Sequence, residues 1–121
     1  MKPTLLFLAL ALNSAAFEIT VVDKEHVDVA DGGKVVAKFM MAHDTSTPER
    51  HHDTYKPYLH VFDSQGETRL TKGPGFNFTH HRGIFLGFSK IAYQGKFYDR
   101  WHMKGGDQVV IDFTCSVDGE A

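Results

Sequence analysis

Residues 17–41, FEITVVDKEHVDVADGGKVVAKFMM, alternate short apolar runs with turn residues, and this pattern decides the fold class. Phe17 to Val22, His26 to Ala30 and Lys34 to Met41 are apolar-rich runs of strand length. Asp31-Gly32-Gly33 separates the last two and is a strong turn signal, because glycine adopts the positive φ angles of tight hairpins. The segment therefore predicts three successive β-strands, of which the last two form a hairpin.

Strand patterns continue through the rest of the chain. The last pattern is the clearest, since every second residue from Val109 to Val117 is apolar and the intervening residues are mostly polar. The run from Gly83 to Ser89 is apolar in both sets of alternating residues, which is typical of a strand covered on both faces. Pro57 restricts the strand that contains it to a sheet edge or a strand start. In chain order we predict strands at Tyr55 to Phe62, Glu67 to Thr71 (pairing back on it), Gly83 to Ser89 (the doubly covered one), Lys96 to Met103 and Gln108 to Asp118.

No segment carries a helical stripe of apolar residues, so the sequence predicts an all-β, mostly antiparallel β-sandwich. Residues 42–54 are polar, include Pro48 and lack any period, which predicts an exposed loop. The last predicted strand ends almost at the C-terminus, with no closing element after it. We therefore expect residues 17–121 to form a single domain, either the N-terminal part of a larger sandwich or a truncated product.

The first 16 residues have the pattern of a secretory signal peptide. Lys2 precedes the apolar run Leu5 to Leu12, and the small-residue stretch Asn13 to Ala16 follows it. We expect cleavage after Ala16 and a soluble protein that is secreted or periplasmic, with no membrane span after cleavage. An uncleaved N-terminal anchor is the alternative.

Composition limits the partners and the chemistry. A net charge of -2 leaves no basic face for nucleic acid and no strong attraction to a membrane surface. Cys115 is the one cysteine, so no internal disulfide can form. Eight histidines are the conspicuous feature, but those at 43, 51 and 52 lie in the predicted loop and fit no standard zinc pattern. The favoured interpretation includes no metal or other cofactor, and the oligomeric state stays open.

The stretch THHRGIFLGF, residues 79–88, places two histidines and an arginine in front of an apolar run. His80 and His81 titrate near neutrality and suit general acid or base catalysis. Arg82 offers a planar set of donors for a carboxylate, a phosphate or sugar hydroxyls. These three are the candidate catalytic residues. The alternative is a polar turn that caps a sheet edge, with the histidines bonded to backbone carbonyls and Arg82 paired with an aspartate.

Four residues on neighbouring predicted strands are candidates for ligand binding: Lys56, His60, Trp101 and His102. The indole of Trp101 beside polar side chains suits a sugar ring, because the ring stacks on the apolar face. Lys56 would hold oxygen atoms of the ligand, and His60 and His102 would line the pocket. Structural alternatives stay open, with His60 as a hydrogen-bonded core histidine and Trp101 as a core aromatic residue.

Three segments in this order, YKPYLHVFDSQG, THHRGIFLGF and DRWHMKGG, resemble the PmoA-like family, whose exported bacterial members carry the label "methane oxygenase PmoA". The resemblance covers Tyr55 to Gly106. It implies a β-sandwich similar to the galactose-mutarotase-like group, whose members bind or act on carbohydrates through histidine and carboxylate pairs. A membrane methane oxygenase needs spanning helices, and the sequence predicts none.

Three hypotheses about function follow. The first is a secreted protein that binds or acts on a carbohydrate or another small molecule, with His80 or His81 as acid or base. The second is a metal-dependent oxidoreductase or hydrolase whose ligands are three of the set His60, His80, His81 and His102. The third is a non-catalytic structural fragment whose polar cluster only satisfies buried groups. The first is favoured.

Overall fold

The computed structural model describes residues 17–117, which contain two antiparallel sheets and one short helix. The larger sheet consists of β1 (Phe17–Val22), β2 (His26–Asp31), β3 (Lys34–Met40) and β4 (Tyr58–Val61), adjacent in that order. Helix α1 (Pro48–Thr54) connects β3 to β4, and β5 (Ile91–Tyr93) pairs with β6 (Lys96–Tyr98) as a separate hairpin. The predicted all-β, mostly antiparallel class is confirmed, and the architecture is consistent with a sandwich-like fold.

The first three strands form the meander that residues 17–41 predict. Gly32 and Gly33 join β2 to β3 with φ angles of 55° and 78°, and a two-residue hairpin of this kind requires positive φ at both positions. A bulge interrupts the β2–β3 ladder between Val29 and Ala30. The predicted hairpin is confirmed.

The predicted loop over residues 42–54 is wrong in its second half, because Pro48–Thr54 form α1. Thr47 is the N-cap residue of the helix, and its hydroxyl oxygen accepts a hydrogen bond of 3.1 Å from the backbone N–H of Arg50. Pro48 lies in the first turn, where its missing N–H has no intrahelical partner to lose. A helix of about two turns is too short to show a 3.6-residue period, so its polar composition resembled a loop.

Strand β4 begins directly after Pro57, as one of the two positions predicted for this proline requires, and three residues later than the predicted start at Tyr55. Its outer edge is met by two irregular segments. Leu59 and Ile84 exchange backbone hydrogen bonds of 2.8 and 2.9 Å, and Phe62 pairs with Arg69. Each segment therefore contributes a single bridge to the sheet instead of the strand that its sequence predicts.

The strand predictions fail toward the C-terminal end of the described chain. Ile84, Leu86 and Phe88 were expected inside a buried strand but are 59%, 74% and 59% exposed. An alternating or apolar pattern gives a strand only where a partner strand and a covering layer lie alongside it, and within residues 17–117 this segment has only the single bridge between Ile84 and β4. Glu67 to Thr71 and Gly83 to Ser89 are not strands, Lys96 to Met103 is regular only as β6, and Gln108 to Val117 is irregular.

Polar side chains share the interior with apolar ones. The buried apolar residues are Val27, Met41 and Tyr58, and the buried polar residues are Thr54, Lys56, His60 and Arg82. Arg82 and Lys56 are the largest fully buried side chains, each 1% exposed. Because a long charged side chain is rarely buried this fully without partners, both must be held by specific contacts.

In the described part of the chain, no helix is long and apolar enough to span a bilayer. The predicted signal peptide, residues 1–16, and the end of the last predicted strand, Asp118, lie outside the described residues.

Candidate functional site

The segment that carries the two adjacent histidines approaches the sheet as a tight turn. The backbone N–H of His81 donates a hydrogen bond of 2.9 Å to the carbonyl of Phe78. Phe76 and Phe78 have φ angles of 57° and 55°, in the left-handed region that bulky residues rarely adopt. Lys72 holds this turn, because its ammonium donates hydrogen bonds of 2.7 and 2.8 Å to two of the turn's carbonyls. Strained backbone of this kind is often found at functional sites.

Three imidazoles, those of His80, His81 and His102, meet at this turn and are called the imidazole cluster below. The ring centroid of His80 lies 4.2 Å from that of His81 and 4.7 Å from that of His102. The indole of Trp101, 37% exposed, contacts the His81 ring at a centroid distance of 5.6 Å. Predicted catalytic and ligand-binding residues from two separate segments thus form one accessible surface.

A carboxylate orients one of these imidazoles. Asp99 Oδ2 lies 2.7 Å from Nδ1 of His102, and Asp99 Oδ1 accepts the backbone N–H groups of Trp101 and His102 at 3.0 and 2.8 Å. These hydrogen bonds, led by the one from the His102 backbone, lower the pKa of the Asp99 carboxyl. A carboxylate bound to Nδ1 favours the tautomer that leaves Nε2 as the proton acceptor.

The environment of His80 favours its neutral form. Burial is the largest cause of its lowered pKa, and repulsion from the neighbouring imidazoles of His81 and His102, which applies whenever these are protonated, acts in the same direction. A neutral imidazole accepts a proton or a hydroxyl hydrogen bond at pH 7, which is the state that a general base needs.

The imidazole cluster does not have the geometry of a metal site. Within residues 17–117, one group of three His, Cys, Asp or Glu side chains has its ligand atoms all within 4.8 Å of one another, and that group includes no residue of the imidazole cluster. The second hypothesis, a metal held by three of His60, His80, His81 and His102, stays a prediction that this arrangement of side chains does not itself support.

Lys56 contacts the same surface from the interior. Its ammonium donates a hydrogen bond of 3.2 Å to the backbone carbonyl of Trp101 and lies 3.5 Å from the ring centroid of Phe85. Burial, followed by the positive charge of Arg82, lowers the pKa of Lys56 to about 8. With a 1% exposed side chain, Lys56 supports the residues that form the surface and is itself covered by them.

Arg82 is equally buried, and backbone carbonyls occupy its guanidinium. Nε and Nη2 donate to the carbonyl of Thr79 at 3.2 and 2.9 Å, while Nη1 donates to those of His52 and Asp53 at 2.9 and 3.0 Å. The guanidinium carbon also lies 4.3 Å from the ring centroid of Tyr55. Arg82 therefore ties the turn that carries His80 to the last turn of α1.

His60 lies apart from the imidazole cluster. Its Nδ1 is 2.9 Å from the hydroxyl oxygen of Thr71, and its ring packs edge-on against Tyr58 at a centroid distance of 5.0 Å. Burial, then the positive charges of Arg69 and Lys38, lowers its pKa. Among the seven predicted site residues, four form the exposed surface, Lys56 and Arg82 support it from the interior, and His60 lies apart from it.

Asp99 is the functional candidate that sequence reasoning missed. On the strand predicted over residues 96–103, Asp99 and His102 point to opposite faces. The chain turns after β6 instead, and Asp99 pairs with Lys104 across that turn. The spacing Asp99-Arg100-Trp101-His102 was the available signal, since a carboxylate three positions before a histidine reaches it readily in a turn.

Comparison with known proteins gives one match. Residues 26–118, more than half of the chain, match a family described as "Family of unknown function (DUF6807)". The matched range includes the whole imidazole cluster as well as Lys56 and Arg82. No curated protein and no solved structure matches the chain.

Proposed function

The chain belongs to the DUF6807 family of unknown function, and we propose that this member binds a carbohydrate at the surface formed by the imidazole cluster and Trp101. The observation that carries the proposal is the contact of a partly exposed indole with three imidazoles, one of which Asp99 orients. A sugar ring presents C–H bonds that stack on an aromatic face and hydroxyl groups that hydrogen-bond to polar neighbours.

The resemblance to the PmoA-like family supports the same ligand class. Its three segments contribute Lys56, the turn before Arg82, and the Trp101-His102 pair, which lie together here. The similarity of that family to galactose-mutarotase-like sandwiches adds histidine and carboxylate pairs as the reactive groups. The PmoA label itself contributes no role to any of these residues.

In this proposal His102 is a hydrogen-bond acceptor for the sugar and Asp99 is its positioning residue. Asp99 holds Nδ1 of His102, so that Nε2 accepts a hydrogen bond from a sugar hydroxyl. His80 stays neutral beside it and accepts a second hydroxyl hydrogen bond. His81 lies between His80 and the indole of Trp101. In that position it contacts the sugar ring that stacks on the indole.

The buried cations have positioning roles. Lys56 fixes the backbone of Trp101, and Arg82 fixes the turn that carries His80. Neither side chain is exposed enough to contact a ligand at the surface. The predicted catalytic role of Arg82 is replaced in this proposal by a structural one.

An extracellular or periplasmic setting completes the proposal. The signal-peptide pattern of residues 1–16 supports export, and polysaccharides and their fragments are ligands that an exported protein meets.

Isothermal titration calorimetry of the untagged protein against a panel of mono- and oligosaccharides tests the proposal. We expect saturable heat with at least one sugar and a loss of affinity of about tenfold or more in Trp101→Ala, equivalent to roughly 1.4 kcal/mol. His26→Gln is the matched control, because His26 lies on β2 outside the imidazole cluster.

Two results would overturn the proposal. One is the absence of heat with every sugar. The other is a Trp101→Ala variant that binds as tightly as the unmodified chain. A His81→Ala variant that loses stability while sugar binding is unchanged would support the structural hypothesis instead.

A further inference from the structure

A second group of histidines lies away from the imidazole cluster and shares one carboxylate oxygen. Asp107 Oδ2 is 2.9 Å from Nε2 of His43 and 2.7 Å from Nε2 of His51. The two imidazole rings are nearly perpendicular, with an interplanar angle of 86° and centroids 6.2 Å apart. Within residues 17–117, it is the one group of three such side chains whose ligand atoms all lie within 4.8 Å of one another.

Three separate segments are held together to form this group. His51 lies on α1, and the hydroxyl oxygen of Thr54 on the same helix accepts the backbone N–H of Asp44 at 2.9 Å, next to His43. The backbone N–H of Gln108 donates to the carbonyl of Tyr55, just after α1, at 2.9 Å. Both contacts fix residues adjacent to the ligands, so the arrangement does not depend on the His–Asp hydrogen bonds alone.

The carboxylate is suited to bind a cation. The group lies at the surface, with side-chain accessibilities of 28% for His43, 43% for His51 and 24% for Asp107. A partly desolvated carboxylate between two imidazoles offers one oxygen and two nitrogen ligands.

We propose that His43, His51 and Asp107 form a site for a divalent transition-metal ion such as Zn²⁺. Imidazole and carboxylate are the ligand types that zinc accepts in sites with three protein ligands, where water takes the fourth position. Two ligands at about 2.1 Å from a tetrahedral ion are separated by roughly 3.4 Å. The observed separations from Asp107 therefore need to widen by only about 0.5 Å for His43 and about 0.7 Å for His51.

A cleft adjoins the proposed site at His43. It has a volume of about 360 Å³ and is lined by His43 together with Met41, Lys24 and residues 109–113. A water molecule, or a small ligand that replaces it, reaches the ion from this side. The number of protein ligands and the adjacent cleft correspond to an exchangeable site and not to a closed structural one.

The sequence did not indicate this site. His43 and His51 lie in the segment predicted to be a solvated loop, and Asp107 is 56 positions beyond His51. Such a separation matches no standard zinc spacing. The helix and the contact between Gln108 and Tyr55 bring the ligands together, and neither follows from a motif.

Calorimetric titration of the full, untagged chain with ZnCl₂, after removal of metal with a chelator, tests the proposal. We expect one equivalent of zinc to bind, and we expect His43→Gln and Asp107→Asn each to weaken binding at least about tenfold. His52→Gln is the matched control, because His52 lies on the same helix but pairs with Asp53. His80→Gln tests the imidazole cluster in the same way, and both controls are expected to bind zinc as the unmodified chain does.

Circular dichroism of each variant separates loss of a ligand from loss of the fold. His43 lies outside every helix and strand, so His43→Gln remains informative if changes nearer α1 prevent folding. Absence of zinc binding to the unmodified chain would overturn the proposal. Unchanged affinity in folded His43→Gln and Asp107→Asn would do so as well, since the His–Asp hydrogen bonds would then have a purely structural role.

Discussion

Two long cationic side chains, Arg82 and Lys56, are the most completely buried large residues of the described chain, but their surroundings differ. Arg82 makes four hydrogen bonds to backbone carbonyls, whereas the ammonium of Lys56 makes one and lies over an aromatic ring. The planar guanidinium presents several donors at fixed angles, so one arginine can satisfy carbonyls from two segments. The difference leads to distinct predictions for the two residues.

Replacing Arg82 by alanine is expected to lower the free energy of unfolding by about 2 to 4 kcal/mol, because three buried carbonyls lose their donors. Urea denaturation followed by circular dichroism measures this change. Arg69→Ala removes an exposed arginine and is the control, with an expected change within about 0.5 kcal/mol. Similar losses in the two variants would contradict the structural role of Arg82.

Lys56 makes stability dependent on pH. Burial and the charge of Arg82 lower its pKa from 10.5 to about 8 in the folded chain. Between these values the unfolded chain retains a proton that the folded chain has lost, so the free energy of unfolding rises with pH. Below pH 8 both states are protonated, and the cost of burying the charge is fully present.

We expect this rise to reach at most about 1.4 kcal/mol per pH unit and to be absent in Lys56→Met. Denaturation between pH 8 and about pH 9.5 measures it below the ordinary pKa of tyrosine. Lys34→Met removes one exposed lysine and controls for the loss of charge. A rise that persists in Lys56→Met belongs to another group and would contradict the prediction.

The residues that form the surface of the imidazole cluster and Trp101 were easier to predict than the role of each residue. His80, His81, Trp101 and His102 were identified from residue chemistry and do lie together. The burial of Arg82 was not predictable, because its carbonyl partners at His52 and Asp53 belong to a helix that the sequence did not indicate. A side chain's partners depend on the tertiary arrangement, which no local pattern contains.

At the scale of elements, strands were predictable where their partners are close in sequence. The meander from β1 to β3 needs only short turns, and apolar runs with Gly32-Gly33 between two of them specify it. Residues 83–89 and 108–117 carry equally strong strand patterns, but within residues 17–117 the first makes only the bridge at Ile84 and the second pairs with no strand. Periodicity reports which face is apolar, and pairing decides whether a strand forms.

Gly83 shows how closely one irregular segment approaches β4. Its φ is 48°, and a Cβ at this position would collide with the carbonyl of Leu59 and lie 2.8 Å from Cδ2 of Tyr58. We expect Gly83→Ala to lower the free energy of unfolding by about 2 to 4 kcal/mol, because both the backbone conformation and the contact are unfavourable. Thermal and urea denaturation measure the loss.

Gly95→Ala is the matched control for this prediction. Its φ is 72°, but an added Cβ would meet no atom within 4 Å, so only the backbone strain of about 1 kcal/mol applies. An equal loss in the free energy of unfolding of the two variants would show that the close approach of Gly83 to β4 does not affect stability.

At the scale of the whole molecule, the sheet class was predictable and the placement of the two histidine groups was not. The imidazole cluster is assembled by turns on either side of the β5–β6 hairpin. The group of His43, His51 and Asp107 is assembled by α1, the segment just before it and the distant segment that carries Asp107. Arg82 links the two regions, since it binds carbonyls beside His80 and beside His51. The residue types were visible in the sequence, whereas the long-range backbone contacts that join them were not.

The strand order β1-β2-β3-β4 also bears on how the chain reaches this structure. The first three strands pair through contacts between residues near in sequence, so closing their turns costs little chain entropy. β4 joins only after the segment that contains α1 has been spanned, and both histidine groups depend on contacts more distant still. Low contact order is therefore found in the N-terminal meander, in α1 and in the β5–β6 hairpin, and we expect the slow steps of folding to be the long-range contacts that assemble the two histidine groups.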